Sequence, residues 1–460
     1  MTTPNNPQRS TTDYQSADAA HHIHAFLDQK ALNAEGPRVM VRGEGLYLWD
    51  NDGNKYLDGM SGLWCTQLGY SRQDLADAAA AQFARLPYYN MFFHTTHPTV
   101  IELSELLFSL LPPHYSHAIY TNSGSESNEV LIRTVRRYWQ ILDKPQKKVM
   151  IGRWNGYHGS TLAATALGGM KAMHTMGGMI PDVAHIDEPY WYMHGGSLTP
   201  HEFGLRCAGQ LEEKILELGA ENVAGFIAEP FQGAGGMIFP PESYWPEIQR
   251  ICRKYDVLLC ADEVIGGFGR TGEWFAHQHF GFEPDTLSIA KGLTSGYVPM
   301  GGLVLSKRMA EVLVEKGGVF AHGLTYSGHP VAAAVAIANL KALRDENHVT
   351  NVRDNTGPYL QKTLREVFDN HPLIGEVQGT GLVAALQFAE DKSTRRRFAN
   401  ENELAWRCRT IGFEEGVIIR STLGRMIMAP ALIAGRSELD ELVEKTKRAI
   451  DRTAKEAGLL

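Results

Sequence analysis

The chain has 460 residues, too many for a single hydrophobic core, which points to two or three packed units. Hydrophobic residues make up 43% and charged residues 21%, ordinary globular values, and a net charge of -8 argues against nucleic-acid or anionic-membrane partners, both of which need a basic surface. Five scattered cysteines (Cys65, Cys207, Cys252, Cys260 and Cys408) form no CxxC pair, so the sequence indicates reduced thiols in a cytoplasmic protein, with neither a disulfide framework nor a metal site.

The polar start, "MTTPNNPQRSTTDYQSADAA", lacks the apolar centre of a signal peptide, and no later stretch reaches the length of a membrane span. Residues before about Tyr14 are expected to be disordered. "LYLWDNDGNKYLDG" reads as a hairpin turning at Asp52-Gly53-Asn54. Further on, short apolar runs alternate with helical patterns: "HAIYT", "KVMIG", "VAGFIAE", "VLLCADE", "TLSIAK" and "GGLVLS" as strands, "NEVLIRTVRRYWQIL", "FGLRCAGQLEEKILELG" and "YWPEIQRICRKY" as helices. This alternation predicts an α/β fold with a mostly parallel sheet flanked by helices. After a long alanine-rich helix, "PVAAAVAIANLKALRDE", the pattern becomes that of a smaller α+β unit. The expected organisation is residues 1–70 packing with the small unit, 71–330 as the large α/β domain and 331–460 as the small one.

Open α/β sheets bind ligands beyond the carboxyl ends of their strands, so the residues just after each apolar run carry the information. "HAIYT" is followed by "NSGSES", in which Gly124 and Ser125 open a helix whose free N–H groups suit a phosphate. "VLLC" is followed by Ala261-Asp262-Glu263, and Asp262 is a carboxylate suited to a pyridinium nitrogen. "TLSIA" is followed by Lys291, which burial would make a nucleophilic amine able to form an imine, with Gly292 and Gly296 read as leaving it room to swing. Taken singly, each has an ordinary structural reading: a helix cap, a turn-capping aspartate, a lysine reaching water. Together they are what pyridoxal 5′-phosphate (PLP) requires. In "RWNGYHGST", Tyr157 is an aromatic able to stack on a flat ring, and His158 and Gly159 let the chain pass close by.

With these residues in place, the chain resembles the class III, PLP-dependent aminotransferases of fold type I, and within them the ω-aminotransferases acting between diamines, polyamines or amines and pyruvate. The resemblance runs from about His21 to near Ile450 and rests on "GLWC", "YNMFFHTTHP", "TNSGSESN", "RWNGYHGST", "FIAEPFQGAGG", "ADEVIGGFGRTG", "IAKGLTSGYVPMGG" and "HGLTYSGHP". It implies a seven-stranded-type sheet. It implies Lys291 as imine-forming lysine and proton shuttle, and Asp262 as partner of the ring nitrogen. Gly124 and Ser125 would take the phosphate, Tyr157 and Val264 the two ring faces, with His158 and Glu229 beside the cofactor. Thr325 would reach the phosphate of a neighbouring subunit, making a homodimer, or a tetramer built from it, with shared sites. Substrate contacts would come from Trp64, Phe92, Tyr157, Arg420 and Phe26. Arg420 would grip a carboxylate and, for donors that lack one, swing aside or pair with Glu229. Gly266 and Gly267 are expected to loosen the turn after Asp262.

The implied reaction is a ping-pong transfer of an amino group from a primary amine to a keto acid, most simply pyruvate, with β-alanine or γ-aminobutyrate as alternative donors. A PLP-dependent decarboxylase or aminomutase would keep the same lysine and aspartate. A nucleotide-binding oxidoreductase would need G-x-G-x-x-G after the first strand, which "TNSGSESNE" does not supply. The intact Lys291–Asp262 pair argues against a non-catalytic binding protein.

Overall fold

The computed structural model describes residues 9–460. Its centre is a seven-stranded sheet of β4 (Tyr115–Thr121), β5 (Val149–Arg153), β6 (Val183–Ile186), β7 (Val223–Ala228), β8 (Leu258–Asp262), β9 (Thr286–Ile289) and β10 (Gly301–Ser306), in the order β4-β10-β9-β8-β7-β5-β6. Preceding them are β1 (Met40–Glu44), β2 (Tyr47–Asp50) and β3 (Lys55–Asp58); following them are β11 (Ile374–Thr380), β12 (Val383–Phe388), β13 (Val417–Ile418), β14 (Arg420–Thr422) and β15 (Arg425–Met428).

The central strands read as unbroken apolar runs because both faces are covered. Along β8, Leu259 and Ala261 join the core on one side of the sheet while Leu258 and Cys260 join the core on the other. Helix Gly124–Ile141 lies on the second side, and helices Pro200–Leu218 and Tyr244–Lys254 pack together on the first. Pairing is parallel from β6 through β9, but β10 is antiparallel to both β9 and β4. Its amino end therefore arrives where its neighbours' carboxyl ends do. The direction of β10 and the whole of β6 escaped the sequence reading: "VAHI" is four residues long and hemmed by Pro181-Asp182 and Asp187-Glu188-Pro189, so it gives little periodic signal.

β2 and β3 form the expected hairpin, with Gly53 at φ 85°. β3 also pairs in parallel with β13 from the far end of the chain, so the early hairpin and the C-terminal segment share one sheet. β11, β12, β15 and β14 form a separate antiparallel sheet. The expectation of disorder before Tyr14 is corrected from residue 9 onward: Ser10 caps a helix, Thr11–His21, in a reciprocal box with Asp13. The rest of that expectation, residues 1–8, lies outside the described residues. All five cysteines are unpaired, four of them buried. Among the described residues no helix is long and apolar enough to cross a membrane.

Candidate active site

The carboxyl ends of β4, β5, β7, β8 and β9 open onto one cavity of about 320 Å³. Gly124, Ser125, Tyr157, His158, Glu229, Asp262, Val264 and Lys291 all line it. Because β10 runs the other way, Val298, Pro299 and Met300 close the same edge.

At the helix start, Ser123 is in extended geometry and its side chain accepts from the Glu126 N–H. The Glu126 carboxylate in turn holds the Asn122 backbone and side-chain N–H groups at 2.7 and 2.9 Å. The first-turn N–H groups of Gly124 and Ser125 lack intrahelical acceptors and sit at the cavity wall. A Cβ on Gly124 would stand 2.9 Å from Val264 Cγ2, so only glycine keeps this corner open. Ser125 Oγ accepts from the Ser160 N–H at 3.0 Å, tying the helix start to the loop that carries Tyr157.

Asp262 is buried at the end of β8 and fully partnered. Its Oδ2 accepts from Asn128 Nδ2 at 2.9 Å and pairs with His158 Nδ1 at 2.7 Å, and its Oδ1 accepts from the Val264 N–H at 3.1 Å. Asn128 also donates to the His158 carbonyl at 2.7 Å and accepts from Ser288 Oγ at 2.7 Å. Neither Asn128 nor Ser288 stood out in the sequence. The signal for Asn128 was present: it lies four residues beyond Gly124, on the same helix face, as a polar residue among buried apolar ones.

Lys291 begins the turn after β9, one strand over from Asp262. Its φ of 46° is in the left-handed region, an uncommon setting for a side chain this long, and the kind of strain that collects at functional sites. Burial brings its amine down to about 8, against the opposing pull of Asp262, Cys65 and Glu229. Gly292 does not serve as slack for the lysine: a Cβ there would stand 2.2 Å from Gln67 Nε2, so close packing requires the glycine. The looseness expected after Asp262 is corrected as well. Gly266 is buried where a Cβ would meet Ala276 and Glu263, and the Glu263 carboxylate fastens the turn by accepting from the Ala276 and His277 N–H groups.

Glu229, buried after β7, accepts from the N–H groups of Tyr157 and Gly233 at 3.1 and 2.8 Å, and burial raises its pKa. Arg420 begins β14 and rests on the Trp64 ring, its Cζ 4.7 Å from the centroid. The same ring faces Lys291 Nζ at 5.2 Å, and the buried Trp64 N–H has no partner among the described residues. Among the described residues Arg420 has no carboxylate partner, so the Glu229–Arg420 pair is not formed; each group is engaged elsewhere. Phe26 is 70% exposed, with its ring 6.5 Å from that of Tyr157 at the cavity mouth. Trp64, Arg420 and Phe26 do not line this cavity, and neither Phe92 nor Thr325 lines it in its own chain. Both are exposed, and the Thr325 carbonyl accepts from Tyr88.

The residues present fit PLP. One cavity holds a helix start with free N–H groups, a buried and braced carboxylate, a lysine depressed by burial, and an aromatic ring. The family model for aminotransferase class-III matches residues 30–450. The chain belongs to the class III aminotransferases. It is 52% identical to a putrescine–pyruvate aminotransferase of Pseudomonas aeruginosa, over 96% of this chain and 97% of the relative. A γ-aminobutyrate transaminase of rice is 42% identical, over 88% and 80% of the two chains. Among solved structures, the ω-transaminase of Pseudomonas jessenii in complex with PMP superposes with a TM-score of 0.94 at 38% identity, covering 97% of this chain and 99% of that one. This aminotransferase is a PLP-dependent ω-transaminase of fold type I, working between an amine donor and a keto-acid acceptor.

Proposed function

We propose that this aminotransferase moves the amino group of a diamine or polyamine, of which putrescine is the simplest, to pyruvate. The observation that carries this reading is Arg420, a partly buried guanidinium resting on Trp64 with no carboxylate partner among the described residues. An arginine so placed is available to a keto acid. When a donor without a carboxylate occupies the pocket, the arginine keeps the aromatic ring as its neighbour and needs no carboxylate in exchange. The 52% identity to a putrescine–pyruvate enzyme supports the same assignment. A second reading, β-alanine or γ-aminobutyrate as donor, draws on the likeness to the rice enzyme.

In the proposed division of labour, Lys291 is the covalent attachment point and general acid–base, its pKa lowered to about 8 leaving roughly a tenth of it neutral at pH 7, far more than for an ordinary lysine. Bound PLP supplies an electrophilic carbonyl and an electron-accepting ring. Asp262, held by Asn128, His158 and the Val264 N–H, pairs with the ring nitrogen. Gly124 and Ser125 receive the phosphate, Tyr157 and Val264 flank the ring, and His158 and Glu229 stand beside it. Trp64, Phe26, Tyr157 and Arg420 face the substrate, and Lys291 carries the proton between donor carbon and cofactor.

We also propose a homodimer. Phe93, Tyr326, Tyr89, Phe92 and Tyr88 are exposed by 85, 57, 48, 41 and 37%, and Thr325 sits among them. Such a surface suits a second copy, which would bring Thr325 and Phe92 to its neighbour's site. The unpaired cysteines favour a reducing, cytoplasmic setting.

A donor panel against pyruvate tests the function. Putrescine, spermidine, β-alanine, γ-aminobutyrate and an aryl alkyl amine are compared by kcat/KM. Diamines are expected to lead; γ-aminobutyrate in first place would hand the assignment to the second reading.

A further inference from the structure

Away from the cavity, Asp18, His22 and His24 gather three metal-ligating atoms within 4.8 Å of one another. Asp18 lies one turn before His22 at the end of helix Thr11–His21, so the two side chains share a face. The chain leaves the helix in extended geometry at His22, which brings His24 back to the same carboxylate. His22 Nδ1 is 3.0 Å from Asp18 Oδ1, and His24 Nε2 is 2.7 Å from Asp18 Oδ2. The two ring centroids are 4.4 Å apart, with the ring planes tilted by 48°. The His24 N–H is held by Gln29 Oε1 at 2.9 Å, which fixes the backbone that carries its ring.

Two hydrogen-bonded histidines at a helix end also have a purely structural use, because cationic groups are favoured there. Here both oxygens of one carboxylate are taken by different imidazoles, so all three groups turn a ligand atom toward the same small region. In a tetrahedral zinc site with bonds of about 2.0–2.1 Å, neighbouring donor atoms lie roughly 3.3 Å apart. The 3.0 and 2.7 Å separations are already close to that edge. Two imidazoles and a carboxylate suit zinc, cobalt or nickel rather than magnesium or calcium, which prefer all-oxygen shells. The His22 side chain is 64% exposed, which leaves a path for the ion and room for water at a fourth position.

We propose that Asp18, His22 and His24 form a binding site for a zinc-class divalent cation that fastens the N-terminal helix to the strap leading into the active site. Binding replaces the two N–H···O hydrogen bonds. Each ring offers a lone pair, at His22 Nδ1 and His24 Nε2, and keeps its proton on the other nitrogen. Two residues after His24, Phe26 lies at the cavity mouth against Tyr157. The ion therefore orders a segment that borders the substrate path while touching none of the reacting groups.

The test uses tag-free, PLP-loaded enzyme titrated with CoCl2, then ZnCl2. One cobalt per chain is expected, with visible absorption bands that zinc bleaches. Asp18→Ala and the double variant His22→Ala/His24→Ala should keep transaminase turnover and bind at least tenfold more weakly. Zinc should also slow tryptic cleavage at Lys30 in the wild type and not in the double variant. Absence of stoichiometric cobalt binding, or binding and protection that survive the substitutions, would overturn the proposal. If the double variant fails to fold, His24→Gln with retained turnover serves the same comparison.

Discussion

Asp262 and Trp64 both neighbour Lys291 and are held in opposite ways. Asp262 accepts three hydrogen bonds, from a helix, a loop and its own turn, and one of those donors is itself bonded to the neighbouring strand through Ser288. Trp64 carries a buried N–H that no described residue accepts, and faces two cations, neither hydrogen-bonded to it. The region that would hold the ring is saturated and so has one arrangement. The region that would meet the substrate keeps unsatisfied groups, and is built from an early loop, the strand at Arg420 and surface aromatics. A site that must admit an amine and a keto acid in turn needs the second kind of wall, and a site that must hold one cofactor needs the first.

The sharpest break of that contrast is Lys291→Ala. Multiple turnover is expected to fall by roughly 10⁴-fold, together with loss of the yellow, borohydride-sensitive chromophore, measured by alanine formation and absorbance. Asp262→Asn comes next, with kcat down by about 10²–10³-fold and donor KM little changed. On the substrate side, Arg420→Ala should raise the pyruvate KM by about 10- to 150-fold, the loss of a charged hydrogen-bonding contact of roughly 1.5–3 kcal/mol. Putrescine half-reaction rates should barely move, and an equal loss in both half-reactions would remove the distinction drawn between the two walls. Asn128→Ala should lower kcat by about tenfold with a shifted cofactor absorbance, because Asp262 loses one of its three donors. The smallest effect is in pH. Lys291 is neutral above about 8, so cofactor loading of the apoenzyme should speed up as pH rises toward 8 and level off beyond it. A loading rate that climbs on to 10 would show an amine without the depression that burial causes.

Much of the first region was legible because strand ends in an α/β sheet are a place where chemistry collects. Gly124, Asp262 and Lys291 could each be read as the residue following an apolar run. The second region left less trace. Trp64, Phe26 and Arg420 are far apart in the chain, and nothing local in "GLWC" or "GVIIRS" shows that an arginine rests on that tryptophan. They entered through family resemblance. Asn128 was passed over because a polar residue in a helix reads as solvent-facing until the sheet is placed beneath it.

The sequence by itself determined six of the seven central strands, four of the long helices and the three groups that name the cofactor, since these follow from apolar periodicity and from what stands at its ends. Only the tertiary structure decided the reversed direction of β10, the sharing of one sheet by β3 and β13, the network that braces Asp262, and the packing rather than freedom that demands glycine at 292. The physical reason is range. Local pattern reports which face of an element is buried, but strand direction and side-chain partnership depend on contacts between residues tens to hundreds of positions apart, and those exist only once the chain has closed on itself.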